Sequence, residues 1–193
     1  MSDWLVERVQ RRFGAPALAL PARFADARLS RVRNDDVRAC ATEYLDAFWE
    51  KASQGLAPVL VGRAAEWKSY AAAAIARVVN LQGRVDVEWF NAPHDALVMD
   101  MAKFDARHSQ RLERLVGADL LVVDDFWEVG GSGFGRDLLV AVAAERFAQR
   151  RPVLWTANVT MAEGEEWKEI AHRYGVSFAR RLKHGGAGFT VIL

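Results

Sequence analysis

Residues 59–69 read VLVGRAAEWKS, and the pattern of this stretch is that of a strand, a loop and the start of a helix. It begins as a short, continuously apolar run, which is typical of a strand buried on both faces of a sheet. Gly62, Lys68 and Ser69 follow with the spacing of the phosphate-binding loop, G-x-x-x-x-G-K-[ST], between a strand and a helix. The second glycine of that pattern is replaced by Trp67. Taken alone, therefore, the segment favours an ordinary strand, loop and helix over a nucleotide site.

A phosphate loop needs backbone amides that curl around the anion, an ammonium for the β- and γ-phosphates and a hydroxyl for Mg²⁺. Lys68 and Ser69 supply the last two groups. Trp67 is the difficulty, because glycine lets the backbone approach the phosphates without a Cβ in the way. The residues predicted to contact a nucleotide are Gly62, Arg63, Ala64, Ala65, Glu66, Trp67, Lys68, Ser69 and Tyr70.

The remaining pattern alternates apolar runs with helical periodicity. Strands are predicted at residues 58–61, 85–90, 119–123, 152–156 and 189–193. Helices are predicted at 37–51, 70–79 and 136–149. A further long helix is predicted after a turn at 91–93, and another begins with a capping box at Thr160. Alternating strands and helices indicate an α/β fold with a five-stranded, mostly parallel sheet that is covered on both faces.

Two carboxylates end the apolar strand LLVVDD at residues 120–125. In the Walker B interpretation, Asp124 holds Mg²⁺ through water or through the Ser69 hydroxyl, and Asp125 polarises the attacking water. Paired acids can also simply terminate a strand, and this segment alone leaves both interpretations open.

Polar residues follow two further apolar elements. Asn158 ends the run VLWTAN, where it could reach a γ-phosphate or the lytic water; a turn-forming asparagine is the alternative. Arg181 stands at the end of a predicted helix before the last strand, and it could contact a neighbouring subunit's nucleotide in trans, with Arg180 as the alternative finger. Solvated surface arginines are the better interpretation of that pair alone.

In this order, the segments VLVGRAAEWKSYAAAAIARVV, ADLLVVDDF, RRPVLWTAN and FARRL resemble the Walker A, Walker B, sensor 1 and arginine-finger segments of the DnaC/DnaI helicase loaders. The related IstB transposition helpers share the layout. The resemblance covers residues 21–193, since PARFADARL at 21–29 is similar to the segment that precedes the family's ATPase core. It implies a P-loop NTPase of the AAA+ type without a C-terminal lid domain, preceded by a short amphipathic arm at residues 1–20.

The resemblance also implies the ligands and their residues. ATP or ADP and Mg²⁺ are the expected cofactors, with Lys68 on phosphate and with Ser69 and Asp124 on the metal. Asp125, Asn158 and Arg181 are the expected catalytic residues.

As a function, the resemblance implies a DNA-replication helicase loader of phage or mobile-element type, which engages a replicative DnaB-type helicase and single-stranded DNA and assembles into a spiral. One alternative is a catalytically impaired adaptor or inhibitor of the helicase, its phosphate loop closed by Trp67. Another is an IstB-like helper ATPase, which predicts duplex DNA and a transposase as partners. A P-loop kinase is a weaker alternative, because no acceptor-binding module is evident.

The composition restricts the remaining function classes. The 193 residues carry a net charge of +1, so any DNA affinity must come from local basic clusters. A single cysteine excludes an internal disulfide, and no long apolar run is present, so we expect a soluble, cytoplasmic protein. Trp49, Trp89 and Trp155 are predicted core residues, and the glycine-rich stretch 130–135 is predicted to be a mobile loop.

Overall fold

Five parallel strands form one sheet in the computed structural model, which describes residues 18–65, 67–82, 85–102, 105–131, 133–160 and 165–193. The strands are β1 (Val59–Gly62), β2 (Val87–Asn91), β3 (Leu120–Asp124), β4 (Val153–Asn158) and β5 (Thr190–Ile192). Their spatial order is β2-β3-β4-β1-β5, and every paired neighbour runs parallel. The predicted α/β fold is therefore confirmed. Because β4 lies between β1 and β3, the carboxyl ends of these three strands meet at one edge.

Helices cover both faces of this sheet. They are α1 (Asp35–Asp46), α2 (Phe48–Ser53), α3 (Lys68–Leu81), α4 (Ala92–Met101), α5 (Ala106–Gly117), α6 (Gly133–Ala148), α7 (Glu166–Tyr174) and α8 (Val176–Gly185). Short 3-10 helices span Ala22–Phe24, Leu29–Arg31 and Phe126–Gly131. None of the helices in the described ranges combines the length and the apolar character that a bilayer crossing requires.

Two apolar cores lie on opposite faces of the sheet, because side chains alternate along each strand. Leu60 and Val122 belong to the core that includes α1 and α3. Val61 and Val123 belong to the core that includes α6 and α8. Helix α3 lies close to the strands since its run of small residues, at positions 71–74, is fully buried.

The prediction of one continuous helix at residues 37–51 is wrong, because two helices cover this range. Its beginning is as expected, since the Asn34 side chain accepts a hydrogen bond from the Val37 amide at 3.0 Å. The helix is interrupted at Ala47, however, and α2 starts at Phe48. Phe48 is buried against Tyr44, with ring centroids 5.7 Å apart, whereas its neighbour Trp49 faces outward and is 61% exposed. The prediction that Trp49 is a core residue is therefore wrong.

Three other predicted boundaries also differ. The glycine-rich stretch 130–135 is not an irregular loop: its glycines belong to the end of a 3-10 helix, anchored by the buried Phe126, and to the first turn of α6. Asn91 caps α4 rather than forming a separate turn, with Pro93 in the first helical turn. Helix α7 begins at Glu166 and not at Thr160. The predicted arm lies almost wholly in residues 1–17, outside the described residues, so it stays a prediction.

Candidate phosphate-binding site

The backbone of the loop after β1 has the curvature that the missing glycine would allow. Trp67, the N-cap residue of α3, has φ 69° and ψ 5°, in the left-handed region. Ala65 also has a positive φ, 65°. Residues other than glycine hold this conformation at a cost of about 1 kcal/mol or more. The loop therefore keeps a glycine-type backbone at the position where the sequence departs from the phosphate-loop pattern.

The Trp67 side chain packs against neighbouring rings and a cation. Its ring lies edge-on to Tyr70, with centroids 5.3 Å apart, and the Arg33 guanidinium lies 5.6 Å from the ring centroid. Tyr70 in turn contacts Phe24, with centroids 6.5 Å apart. Trp67 thus joins the loop to the leading segment, residues 21–33, and forms an aromatic wall with it.

Lys68 is the buried cation of the loop. Only 2% of the residue is exposed, and its Nζ donates a hydrogen bond to the carbonyl oxygen of Arg63. A buried ammonium has to be matched by acceptors. The side chain therefore bridges the loop, from the start of α3 back to the residue that follows β1. Ala64 and Ala65 are exposed beside it, whereas Glu66 lies outside the described residues.

Asp124 joins the ends of three elements. It ends β3, is 1% exposed and accepts a hydrogen bond from the Thr156 hydroxyl at 2.7 Å. Ser69, in the first turn of α3, also donates a side-chain hydrogen bond to it. Burial raises the pKa of the Asp124 carboxyl, while the hydrogen bonds from Ser69 and Thr156 oppose that rise. The structure thus brings together the two residues that the sequence predicts as metal ligands.

Asp125 and Asn158 form a second contact at the same edge. The Asp125 Oδ1 accepts a hydrogen bond from the Asn158 backbone amide at 3.2 Å, and Oδ2 accepts one from Asn158 Nδ2 at 3.0 Å. The Asp125 amide donates to Thr156 Oγ1 at 3.0 Å, and its φ is 60°. The predicted Walker B and sensor 1 residues are therefore in direct contact, and the end of β4 orients the Asp125 carboxylate.

Two residues of this site were not predicted. Thr156 bridges Asp124 and the Asp125 amide, and it could have been identified as the one hydroxyl in an otherwise apolar buried strand, since such a group must find partners. Arg23 lies with its Nη2 atom 3.7 Å from Asp124 Oδ2. No local pattern marks Arg23, because only the tertiary fold brings the leading segment to the end of β3.

The predicted arginine fingers do not belong to this edge of the sheet. Arg181 lies within α8 and lines a small cavity with Val153 and Trp155, at the beginning of β4. Asn158 ends the same strand, roughly 16 Å away along β4. The exposed Arg180 lies beside Arg181. Neither arginine is positioned to contact a nucleotide bound at its own loop.

The oxygen ligands at the site fit Mg²⁺ that is bound together with a nucleotide. A carboxylate and a hydroxyl, from Asp124 and Ser69, are hard ligands, and Mg²⁺ at nucleotide sites takes one or two protein ligands together with phosphate oxygens. Within the described ranges, no group of three or more His, Cys, Asp or Glu residues could hold a metal by itself. The residues present therefore suit a metal whose remaining ligands are water or phosphate oxygens.

Comparison with known proteins identifies the architecture. No family model matches the sequence, and no curated protein is detectably similar to it in sequence. The crystal structure of the DnaC helicase loader matches with a TM-score of 0.75 and 15% identity, over 90% of this chain and 98% of that chain. The crystal structure of DnaI matches with a TM-score of 0.72 and 19% identity, over 91% of this chain and 95% of that one. The fold is that of the DnaC/DnaI-type AAA+ proteins.

A third solved structure also shares the fold. The replication initiator DnaA bound to AMPPCP and single-stranded DNA has a TM-score of 0.70 and 13% identity, over 90% of this chain and 50% of that chain. At such identities the likeness establishes a shared fold. A shared fold does not by itself determine the ligands or the activity of this chain.

Proposed function

We propose that this AAA+ core binds ATP with Mg²⁺ at the edge formed by β1, β3 and β4, and that it acts as a helicase loader in DNA replication. One observation carries the proposal: Ser69 of the loop contacts Asp124, while Asp125 contacts Asn158, all at one edge of the sheet. Lys68 lies in the same loop. The likeness to DnaC and DnaI supports the loader assignment.

Each residue then has a role set by its position. Lys68 exchanges the Arg63 carbonyl for the β- and γ-phosphate oxygens, which are stronger partners for an ammonium. Ser69 and Asp124 would hold Mg²⁺, which neutralises charge on the phosphates when it is bound. Asp125 directs the attacking water: its two oxygens accept two hydrogen bonds from Asn158, and a carboxylate has lone pairs for about two more.

Lys68→Ala tests the nucleotide site. We expect wild-type protein to bind ATP-Mg²⁺ saturably, followed by tryptophan fluorescence and by equilibrium dialysis, because Trp67 lies at the site. We expect Lys68→Ala to lose this binding. Lys51→Ala is the matched control, since Lys51 is paired with Glu50 at the surface of α2 and should not affect nucleotide binding. Unchanged affinity in a folded Lys68→Ala variant would contradict the assignment.

The partners follow from the same proposal. A loader of this type would bind a replicative DnaB-type helicase and single-stranded DNA, and the DnaA structure bound to single-stranded DNA supports the second partner. Co-purification with the purified helicase of the same host, and polarisation of a labelled oligonucleotide, test the two interactions separately. Preference for duplex DNA and absence of helicase binding would contradict the loader proposal.

One observation favours a second function. Trp67 occupies the glycine position with a strained backbone, and a bulky residue at this position would close the loop to nucleotide. A helicase adaptor or inhibitor would bind the helicase as a loader does. The two are separated by the nucleotide titration, since an adaptor with a closed loop shows no response at millimolar ATP-Mg²⁺.

A further inference from the structure

Arg23 reaches the metal-ligand carboxylate from the leading segment. Its Nη2 atom lies 3.7 Å from Asp124 Oδ2, a charge contact that is longer than a hydrogen bond. The other oxygen, Oδ1, accepts a hydrogen bond from Thr156. The Arg23 side chain is 65% exposed and Asp124 is 1% exposed, so the guanidinium approaches a buried anion from the solvent side. A cation that enters the site from solvent approaches the same carboxylate.

The position of Arg23 is fixed by its neighbour. Phe24 is buried, and its ring lies 5.6 Å from Trp89 and 6.5 Å from Tyr70, between centroids. The Arg23 guanidinium lies 4.7 Å from the Phe24 ring centroid. This anchor holds the backbone of the leading segment in place, and the long side chain of Arg23, which is 65% exposed, extends from it to Asp124.

We propose that Arg23 is a counter-ion of Asp124 that competes with a divalent cation for the carboxylate and lets the site bind nucleotide without metal. Like charges a few ångströms apart repel, so Arg23 must leave Asp124 when a divalent cation binds there. Without metal, Arg23 and Lys68 would supply the positive charge for the phosphates, since a guanidinium binds phosphate oxygens well.

The first test needs no nucleotide. Mn²⁺ binding is measured by electron paramagnetic resonance for wild type, Arg23→Gln and Arg23→Lys. Removal of the competing charge should tighten Mn²⁺ binding of Arg23→Gln about fivefold, the size expected for one exposed charge pair. Arg23→Lys, which keeps the charge, should remain closer to wild type. Equal or weaker Mn²⁺ binding by Arg23→Gln, including no measurable binding by either protein, overturns the proposal.

Two controls assign the effect to Asp124. Arg107→Gln removes the same charge from an exposed ion pair with Asp105, and it should bind Mn²⁺ as wild type does. Adding Asp124→Asn to Arg23→Gln should abolish the gain in a protein whose circular dichroism is unchanged. A gain that survives Asp124→Asn, or that appears in Arg107→Gln, would mean that a general charge effect is responsible.

The second test rests on the proposed nucleotide binding. ATP affinity is measured in excess Mg²⁺ and in EDTA, and the ratio of the two dissociation constants expresses the dependence on metal. We expect Arg23→Gln to depend on metal about fivefold more than wild type. An equal ratio overturns the nucleotide part of the proposal. If neither protein binds ATP under either condition, the proposed function fails, and the Mn²⁺ comparison still decides the role of Arg23.

Discussion

At the scale of single residues, Trp67 stands where the phosphate-loop pattern has glycine, and its backbone and its side chain affect stability in different ways. The backbone has the left-handed conformation that glycine adopts freely, whereas the indole is held by Tyr70 and Arg33. The substitution therefore adds strain and also adds contacts. These two contributions to stability have opposite signs, and they can be measured apart.

Comparison of Trp67→Gly with Trp67→Ala isolates the strain. Both variants lose the ring contacts, but only glycine relieves the left-handed backbone, so we expect Trp67→Gly to unfold with a free energy about 1 kcal/mol higher than that of Trp67→Ala in urea. The same pair of substitutions at Arg77, within α3, is the control, because there alanine should be the more stable by about 1 kcal/mol. The same order of stability at both positions would show that Trp67 is not strained in solution.

The site residues differ in whether the amino-acid sequence alone could predict them. Parallel strands bring the residues at their carboxyl ends to one edge of the sheet. The sequence pattern was therefore enough to predict that five residues lie near one another: Lys68, Ser69, Asp124, Asp125 and Asn158. Their roles stay predictions. Arg23 was missed because it lies 101 residues from Asp124 and at no strand end, so only the packed structure brings the two together. Thr156 was missed although its hydroxyl stands in a buried strand, where such a group must find a partner.

At the scale of elements, the alternation of apolar runs with helical periodicity predicted the five strands in their order along the chain. It did not predict the breaks within helices. The apolar stripe runs through Tyr44 to Phe48, which are both buried and in contact, so local periodicity predicts one continuous helix and gives no sign of the break at Ala47. Glycine is a poor helix former, which favours a loop at residues 130–135, yet the glycines lie in a 3-10 helix anchored by the buried Phe126 and in the first turn of α6. In the glycine-rich stretch, packing prevailed over propensity.

One buried side chain ties several elements together. Arg146, on α6, is fully buried, and its guanidinium donates hydrogen bonds to the carbonyl oxygens of Leu115, Val116, Ala118 and Pro152. These groups belong to the end of α5 and to the residues that precede β3 and β4. Burial lowers the pKa of Arg146 to about 9, so the side chain is still charged at neutral pH.

Arg146→Met should therefore be among the most destabilising single changes. It leaves four carbonyl oxygens without their donor, and we expect the free energy of unfolding to fall by about 3 kcal/mol or more. Arg136→Met is the control, since Arg136 is exposed and paired only with its neighbour Asp137. Urea unfolding measures both variants, and a loss below about 1 kcal/mol for Arg146→Met would show that water replaces the guanidinium.

At the scale of the whole molecule, the phosphate loop and Arg181 lie at opposite ends of the sheet. Arg181 lines a cavity near the beginning of β4, whereas the site is built at the strand's carboxyl end. A contact between Arg181 and a nucleotide therefore requires a second copy of the chain. Head-to-tail contacts of this kind generate rings or open helical assemblies, as the proposed spiral demands.

Mixing two inactive variants tests this arrangement. Lys68→Ala lacks the lysine that is proposed to bind phosphate but keeps Arg181, and Arg181→Ala has the reverse defect. If Arg181 acts in trans, each variant alone should lose ATP hydrolysis by about 100-fold or more. An equimolar mixture should recover on the order of a quarter of wild-type activity, the share of interfaces that pair an intact site with an intact arginine under random head-to-tail mixing. Arg180→Ala should stay active if Arg181 is the finger. A mixture as inactive as its components would show that Arg181 does not act across subunits, because mixing can restore only a function that is shared between copies.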